Sequence, residues 1–378
     1  MLYCDAGIKN NLFYGGICMK KDGWGEGIKG PLFAAANSGS GFVSFYGEIF
    51  GNREIKRKYI IKGGPGTGKS GFMKRTASFV KEKGFAVEYY RCSSDPDSLD
   101  GIIINGKIAI IDGTAPHSAD TELPGVRDEI LNLGQFWDSE KLAARVKEVE
   151  ELNTQKGGSY KRAYRYLSAC LDMEEINLSL LMPCVLEEKM KKAAGRIVDK
   201  IPEGKGASVK TGVEGSVGMK GMVRFNSYAR QARTVYLIDD FYGSAHLFLS
   251  EIVQRGLENN NSLRISYDPV SAKRPDSVYF AEEGICFAIS DNLTADGINT
   301  AGRINMRRFV DQSMLSERKG EMRSNFRIAN SLLSEAADAM REAGEKHFLL
   351  EKIYISCMDF SALDTYLKDF CERIEKML

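Results

Sequence analysis

The segment Gly63–Ser70 has the residue types and the spacing that phosphate binding requires, since it reads G-x-x-x-x-G-K-S. Its glycines let the backbone turn tightly, so that amide N–H groups point inward at phosphate oxygens. Lys69 can reach the β- and γ-phosphates, and the hydroxyl of Ser70 can ligate Mg²⁺. We therefore predict ATP and Mg²⁺ as cofactors, with a nucleotide site formed by Gly63, Gly64, Pro65, Gly66, Thr67, Gly68, Lys69, Ser70 and Gly71.

The residues on either side of this segment have the patterns of a strand and a helix. Tyr59–Ile61 is a short apolar run of β-favouring residues. After Lys69, apolar side chains recur at helical spacing, and Gly84 is placed to end the helix. A glycine-rich loop between a strand and a helix is the context that the phosphate-binding motif requires. These flanks favour nucleotide binding over a chance glycine-rich turn.

An acidic residue ends an apolar strand downstream of this loop. Asn105-Gly106 separates the apolar runs Ile102–Ile104 and Ile108–Ile111, which predicts a β-hairpin whose second arm ends at Asp112. Beside a phosphate-binding loop, such an acid is typical of a Walker-B residue that holds Mg²⁺ directly or through water. We therefore predict Ser70 and Asp112 as the metal ligands.

A histidine follows the acid within the same predicted loop. His117 could orient a water or a substrate hydroxyl near the γ-phosphate, or it could cap or pack in its loop, and the sequence leaves both open. We predict Lys69, Asp112 and His117 as the catalytic residues. Either His117 or an arginine from elsewhere would complete the transition-state site.

Length and composition describe a globular protein of two domains. The chain has 378 residues, of which 43% are hydrophobic and 27% are charged. The net charge of +1 gives no overall field that would attract nucleic acid or an anionic membrane. Eight cysteines without a C-x-x-C pair, no run of about eighteen apolar residues and no signal-peptide pattern predict a cytoplasmic protein.

Strand, helix and strand patterns within about thirty residues, from Tyr59 to Tyr90, indicate a βαβ unit and a largely parallel sheet. Residues 138–201 have helical periodicity and follow this unit. We predict an α/β fold of tandem P-loop NTPase-like units with mainly parallel sheets, each unit followed by a helical appendix. Residues 1–200 would form the nucleotide-binding domain, and residues 201–378 a degenerate P-loop-like domain.

An internal duplication is predicted from a comparison of the two parts of the chain. Tyr59 aligns with Val235, a shift of 235 − 59 = 176, and the helices that follow then coincide with Phe72 over Phe248. A second set of matches has a shift of 179: Pro96-Asp97-Ser98 over Pro275-Asp276-Ser277, and Asp112 over Asp291.

The second copy lacks the phosphate-binding residues. Asp239 and Asp240 stand where the first copy has glycines, and no lysine follows them. Two carboxylates would repel phosphate, so we predict no nucleoside triphosphate at this loop. The strand Thr234–Asp240 also has the pattern of a Walker-B strand, but the length of the repeat favours duplication.

Four segments carry a resemblance to known proteins: Tyr59–Ser70, Ser93–Gly101, Asp112–His117 and Asn132–Asp138. With them the chain resembles a family of bacterial P-loop ATPase-like proteins that contain two tandem P-loop units. The resemblance covers about residues 32–140, and the second part of the chain only by topology. It implies ATP binding in both units, and this chain departs from that pattern at its second loop.

These observations predict an ATP-binding protein that is a Mg²⁺-dependent ATPase. A small-molecule or nucleotide kinase is a second hypothesis, and it requires a pocket for a phosphoryl acceptor. A nucleotide-gated interaction protein is a third, in which the second part of the chain forms a homo-oligomer or binds a protein partner. No membrane or nucleic-acid partner is expected.

Overall fold

The computed structural model describes residues 30–116, 119–290, 298 and 300–378. It is an α/β protein with two six-stranded mixed sheets, mostly parallel, and each sheet is followed by helices. Residues 30–200 are called the first half below, and residues 201–378 the second half. His117 and Asp291, which the sequence singled out, lie outside the described residues.

The secondary structure follows the same plan in both halves. The strands of the first half are β1 (Leu32–Phe33), β2 (Ala35–Ser38), β3 (Gly41–Ser44), β4 (Arg57–Lys62), β5 (Val87–Arg91), β6 (Leu99–Ile104), β7 (Ile108–Asp112) and β8 (Asp128–Asn132). Its helices are α1 (Tyr46–Phe50), α2 (Lys69–Glu82), α3 (Ser139–Ala143), α4 (Val146–Leu181) and α5 (Glu187–Val198).

The strands of the second half are β9 (Ser208–Gly212), β10 (Gly215–Gly218), β11 (Gly221–Arg224), β12 (Thr234–Asp239), β13 (Ser262–Tyr267), β14 (Pro275–Phe280), β15 (Ile285–Ser290) and β16 (Gly302–Asn305). Its helices are α6 (Ser227–Gln231), α7 (Ala245–Glu258), α8 (Gln312–Leu315), α9 (Lys319–Ile355) and α10 (Phe360–Glu375).

The two sheets have the same strand order. The first sheet is ordered β1-β5-β6-β7-β4-β8, and the second, read in the same direction, β9-β13-β14-β15-β12-β16. Only the strand third from one edge, β6 or β14, runs antiparallel to its two neighbours. Because β4 lies between β7 and β8, the end of β4 and the end of β7 meet at one edge of the sheet.

Local sequence signals account for the elements around β4. Helix α2 ends at Glu82, and Gly84 adopts a φ of +87° just beyond it. The predicted hairpin is present between β6 and β7, with Asn105 and Gly106 both at positive φ. Helix α4 runs without a break through Gly157-Gly158, where the sequence showed two separate apolar stripes.

The pairing of the strands corrects the sequence alignment by one residue. Lys62 pairs with Asn132, and in the second half Asp239 pairs with Asn305; both asparagines cap the short helix that follows their strand. Lys62 therefore corresponds to Asp239, and Tyr59 corresponds to Tyr236 and not to Val235. Helices α2 and α7 keep the expected shift of 245 − 69 = 176, with Phe72 over Phe248. The loop before the helix is therefore one residue shorter in the second half.

The match of Pro96 with Pro275 is also wrong. Leu99 pairs with Arg91 across a register irregularity, and Pro275 pairs with Tyr267 across the same irregularity. Pro275 therefore corresponds to Leu99 and not to Pro96. 

The register of the strands also corrects the alignment of Asp112 with Asp291. Asp112 pairs with Ile61, and the corresponding pair in the second half joins Ile238 to Ile289. The second half thus has an isoleucine where the first half has the acid.

Helices α4 and α9 pack side by side and join the halves with approximate twofold symmetry. Isolated bridges join Trp137 to Met358 and Val310 to Val185. The differences 310 − 137 and 358 − 185 are both 173, so Trp137 corresponds to Val310 and Val185 corresponds to Met358. The two bridges are therefore equivalent, and each joins one half to the other. The segments that leave the two long helices therefore cross over at equivalent places.

This crossing exchanges one helix between the halves. Helix α10, the last in the chain, packs on α2, and its Phe370 ring lies 4.9 Å from the ring of Tyr59 and 5.0 Å from that of Phe72. Helix α5 packs on α7 of the second half in the same way. The core of the first half thus contains side chains from the end of the chain.

Because α10 packs in the core of the first half, we predict that shortening a buried side chain of α10 destabilises the first half. We expect Phe370→Ala to lower the free energy of unfolding by about 3–5 kcal/mol, because a large buried aromatic side chain is removed. Guanidinium titration would measure it. Phe348→Ala is the matched control, since Phe348 is 43% exposed on α9. Equal stabilities of the two variants would contradict the assignment of α10 to this core.

A buried carboxyl group lies below the β10–β11 hairpin. Glu214 is 2% exposed and accepts hydrogen bonds from the N–H of Tyr228, at 2.7 Å, and from the hydroxyl of Ser277. Burial raises the pKa of Glu214 to about 7, from an ordinary value of 4.5. The ion pair between Arg224 and Asp276 lies in the same region.

This carboxyl group predicts a loss of stability as the pH rises. Between pH 4.5 and 7 the folded state holds a proton on Glu214 that the unfolded state has released. The contribution of Glu214 to the free energy of unfolding therefore falls as the pH rises across this range. We expect Glu214→Gln to remove about 3 kcal/mol of the pH dependence of the free energy of unfolding. Urea titrations at pH 5 and pH 8 would measure it, with exposed Glu282→Gln as control. Parallel pH profiles of wild type and Glu214→Gln would refute the prediction.

No helix in the described part of the chain is both long enough and apolar enough to cross a membrane.

Candidate functional site

The loop between β4 and α2 adopts a conformation that depends on its glycines. Gly66 and Gly68 have φ values of +68° and +84°, a region that favours glycine. We call Gly63–Ser70 the glycine loop. Thr67 is fully buried, and its hydroxyl donates a hydrogen bond of 2.9 Å to the carbonyl of Gly64, which holds the turn closed from inside.

Several amide groups of the glycine loop have no hydrogen-bond acceptor among the described residues. Within the described residues, the N–H groups of Gly64, Gly66, Gly68, Lys69 and Ser70 donate no hydrogen bond. Helix α2, which begins at Lys69, has no side-chain cap at its N-terminus. Unpaired amides at the positive end of a helix dipole are suited to interaction with an anion.

Lys69 lies inside the turn of the glycine loop. Its Nζ donates to the carbonyl oxygens of Gly63, at 3.1 Å, and of Gly64, at 2.8 Å. The same nitrogen is 3.7 Å from a carboxylate oxygen of Asp112, and both side chains are nearly buried. The structure therefore brings together these two predicted residues from the start of α2 and the end of β7.

The carboxylate of Asp112 is oriented by its own turn. One oxygen accepts the N–H of Thr114, at 2.8 Å, and the hydroxyl of Thr114, at 2.6 Å. The other oxygen faces Lys69. Ser70 is held in a similar way, since its hydroxyl oxygen accepts the N–H of Leu99 at 3.0 Å. Each of the two predicted metal ligands keeps oxygen lone pairs that these contacts do not use.

Pro65 and Gly71 complete the predicted set. Pro65 is half-buried within the loop. Gly71 lies on the exposed side of α2, and an added Cβ there would meet no atom within 4 Å.

Lys62 ties the chain beyond Asp112 to the same edge of the sheet. Its Nζ donates to the carbonyl oxygens of Gly113, at 2.8 Å, and of Ala119, at 2.7 Å. His117, between these two positions, lies outside the described residues, and its catalytic role stays a prediction.

Helices of the second half cover one side of the glycine loop. A Cβ at Gly64 would lie 2.8 Å from the ring of Tyr354, and one at Gly66 would lie 2.6 Å from the carbonyl oxygen of Glu351. A Cβ at Gly68 would lie 3.2 Å from Leu363 of α10. The glycines thus permit this close contact as well as the turn. The sequence contained no signal that placed the end of α9 here.

Helix α4 carries a second ammonium group, that of Lys156, whose pKa responds to the charge of Lys69. Burial lowers the pKa of Lys156, and the positive charge of Lys69 lowers it further. Lys156 is half-buried and forms no ion pair within the described residues. Sequence reasoning missed it, because a lysine in a helical stretch is usually solvated.

The corresponding loop of the second half, Asp240–Ser244, is filled by the protein itself. The carboxylate of Asp240 accepts the N–H groups of Gly243 and Ala245, each at 2.8 Å. Phe241 and Tyr242 pack against the apolar cluster at the end of α4. A carboxylate thus takes the amides that would otherwise face an anion.

Comparisons of the chain with protein-family models, with curated proteins and with solved structures found no match.

Proposed function

We propose that the protein binds Mg²⁺ and ATP at the glycine loop and hydrolyses ATP slowly to ADP and phosphate. The observation that carries this proposal is the row of unpaired amides at the start of α2, beside Lys69 and Asp112. A phosphate chain needs N–H donors, a cation and oxygen ligands for a metal ion, and the loop amides, Lys69, and the oxygens of Ser70 and Asp112 would supply them. We also propose a cytoplasmic location, since the described cysteines are free thiols.

Each residue has a separate role in this proposal. The loop amides bind the phosphate oxygens, and Lys69 leaves its contacts with the loop carbonyls to stabilise charge on the β- and γ-phosphates. The turn at Thr114 keeps the carboxylate of Asp112 aimed at the loop. A water then attacks the γ-phosphorus, the bond to the β–γ bridging oxygen breaks, and ADP takes the electron pair.

Ser70 and Asp112 fit Mg²⁺ because both supply hard oxygen ligands. No cluster of three or more histidine, cysteine or acidic side chains that could hold a metal occurs in the described ranges. Two protein oxygens, with phosphate oxygens and water, are the ligand set typical of Mg²⁺ at nucleotide sites. The metal would neutralise charge that develops on the phosphates.

The proposal predicts that Lys69 is required for ATP binding. We expect Lys69→Ala to weaken the affinity for Mg·ATP about 10- to 100-fold, because hydrogen bonds to charged groups are lost. Calorimetry would measure the affinity, and release of free phosphate would measure turnover, with ATP and GTP compared side by side. Lys107→Ala, at the exposed hairpin, is the control. Equal, tight binding by wild type and Lys69→Ala would reject the site.

A nucleotide-gated interaction protein is the second candidate, because helices of the second half touch the glycine loop directly. A ligand on that loop would then change how the second half is held. In the same experiment, ATP binding without phosphate release but with a change in oligomeric state would support this candidate. Formation of ADP only after a phosphoryl acceptor is added would support a kinase.

A further inference from the structure

Helix α4 packs against the two-stranded sheet of β2 and β3 in the first half. The hydroxyl of Tyr164 donates a hydrogen bond of 2.9 Å to the side chain of Asn37. One turn earlier, Tyr160 lies beside Ser94, and its ring stacks on that of Tyr164 with centroids 6.3 Å apart. These two tyrosines define the face of α4 that is turned towards the first half.

Lys156 occupies the next position along this face, one turn before Tyr160. One further turn away, Leu152 lines a cavity together with Ile353, the residue before Tyr354. Tyr354 is the residue that touches Gly64. Lys156 therefore lies between the level of Ser94 and the level at which α9 meets the glycine loop.

The charge of Lys156 has no partner at this position. Lys69 has Asp112 within 3.7 Å, whereas Lys156 forms no ion pair with any described residue. Burial lowers the pKa of the Lys156 ammonium group, and the positive charge of Lys69 lowers it further. A half-buried cation without an ion-pair partner, on a helix face that runs between Ser94 and the contact of α9 with the glycine loop, is suited to an anion with several charges.

We propose that Lys156 binds the terminal phosphate of a nucleoside triphosphate held by the glycine loop. This inference rests on the proposed function. The glycine loop and Lys69 would hold the inner phosphates, and Lys156 would reach the terminal phosphate from the opposite side. A nucleoside diphosphate lacks that group, so Lys156 distinguishes the two ligands, and it does so from the helix that joins the halves.

The test compares affinities for ATP and ADP, with Mg²⁺, in the full-length chain by calorimetry. We expect Lys156→Met to weaken ATP binding about tenfold and to change ADP binding less than about twofold. Lys156→Arg should retain ATP affinity within about threefold, because the positive charge is kept. Lys161→Met, at an exposed position of the same helix, is the matched control. ADP binding also shows that each variant is folded.

The outcomes separate this inference from the function on which it rests. If wild type binds ATP in a Lys69-dependent way but Lys156→Met binds ATP equally well, the role of Lys156 is refuted and the proposed function stands. An equal loss for ATP and ADP also refutes a contact with the terminal phosphate. If wild type binds neither nucleotide, the proposed function itself is refuted.

Discussion

The packing of α4 against α9 determines how the two halves are held together. The helices run antiparallel, since Leu152 faces Ile353 at one end and Asn177 faces Asn325 at the other. Small side chains allow close approach at the centre, where the buried cluster includes Ala163, Cys170, Ala329, Ala336 and Ala339.

A buried amide fixes the register of this pair. Asn177 is 4% exposed; its nitrogen donates to the carbonyl of Met322, at 3.1 Å, and its oxygen accepts from Asn325, at 3.1 Å. A slip along the helices would leave these polar groups unpaired, which costs about 1–3 kcal/mol for each group. The same register sets the end of α9 against the glycine loop, so the site depends on this contact.

Sequence reasoning reached the parts of the site that depend on local signals. The turn, the start of α2 and the acid at the end of β7 are encoded by residues close together in the chain, and Lys69 and Asp112 do meet. The equivalence of Tyr59 and Tyr236 could not be read, because one deletion in the second loop shifts the strand against its helix. The exchange of α10 depends on a crossing near Met358 that no local pattern reports. The division into domains at residue 200 stays a prediction.

The environment of the glycine loop connects its charge to the second half. The last turn of α9 carries the negative end of a helix dipole, and it lies against Gly66, next to the positive start of α2. These opposite partial charges attract while the loop amides carry no anion. A polyphosphate on those amides would add negative charge beside the end of α9 and weaken that attraction. Since the contact at Gly66 is with the backbone of Glu351, side-chain rotation cannot relieve it. Under the proposed function, binding of the nucleotide therefore acts directly on the position of α9, and through its packing with α4 on both halves.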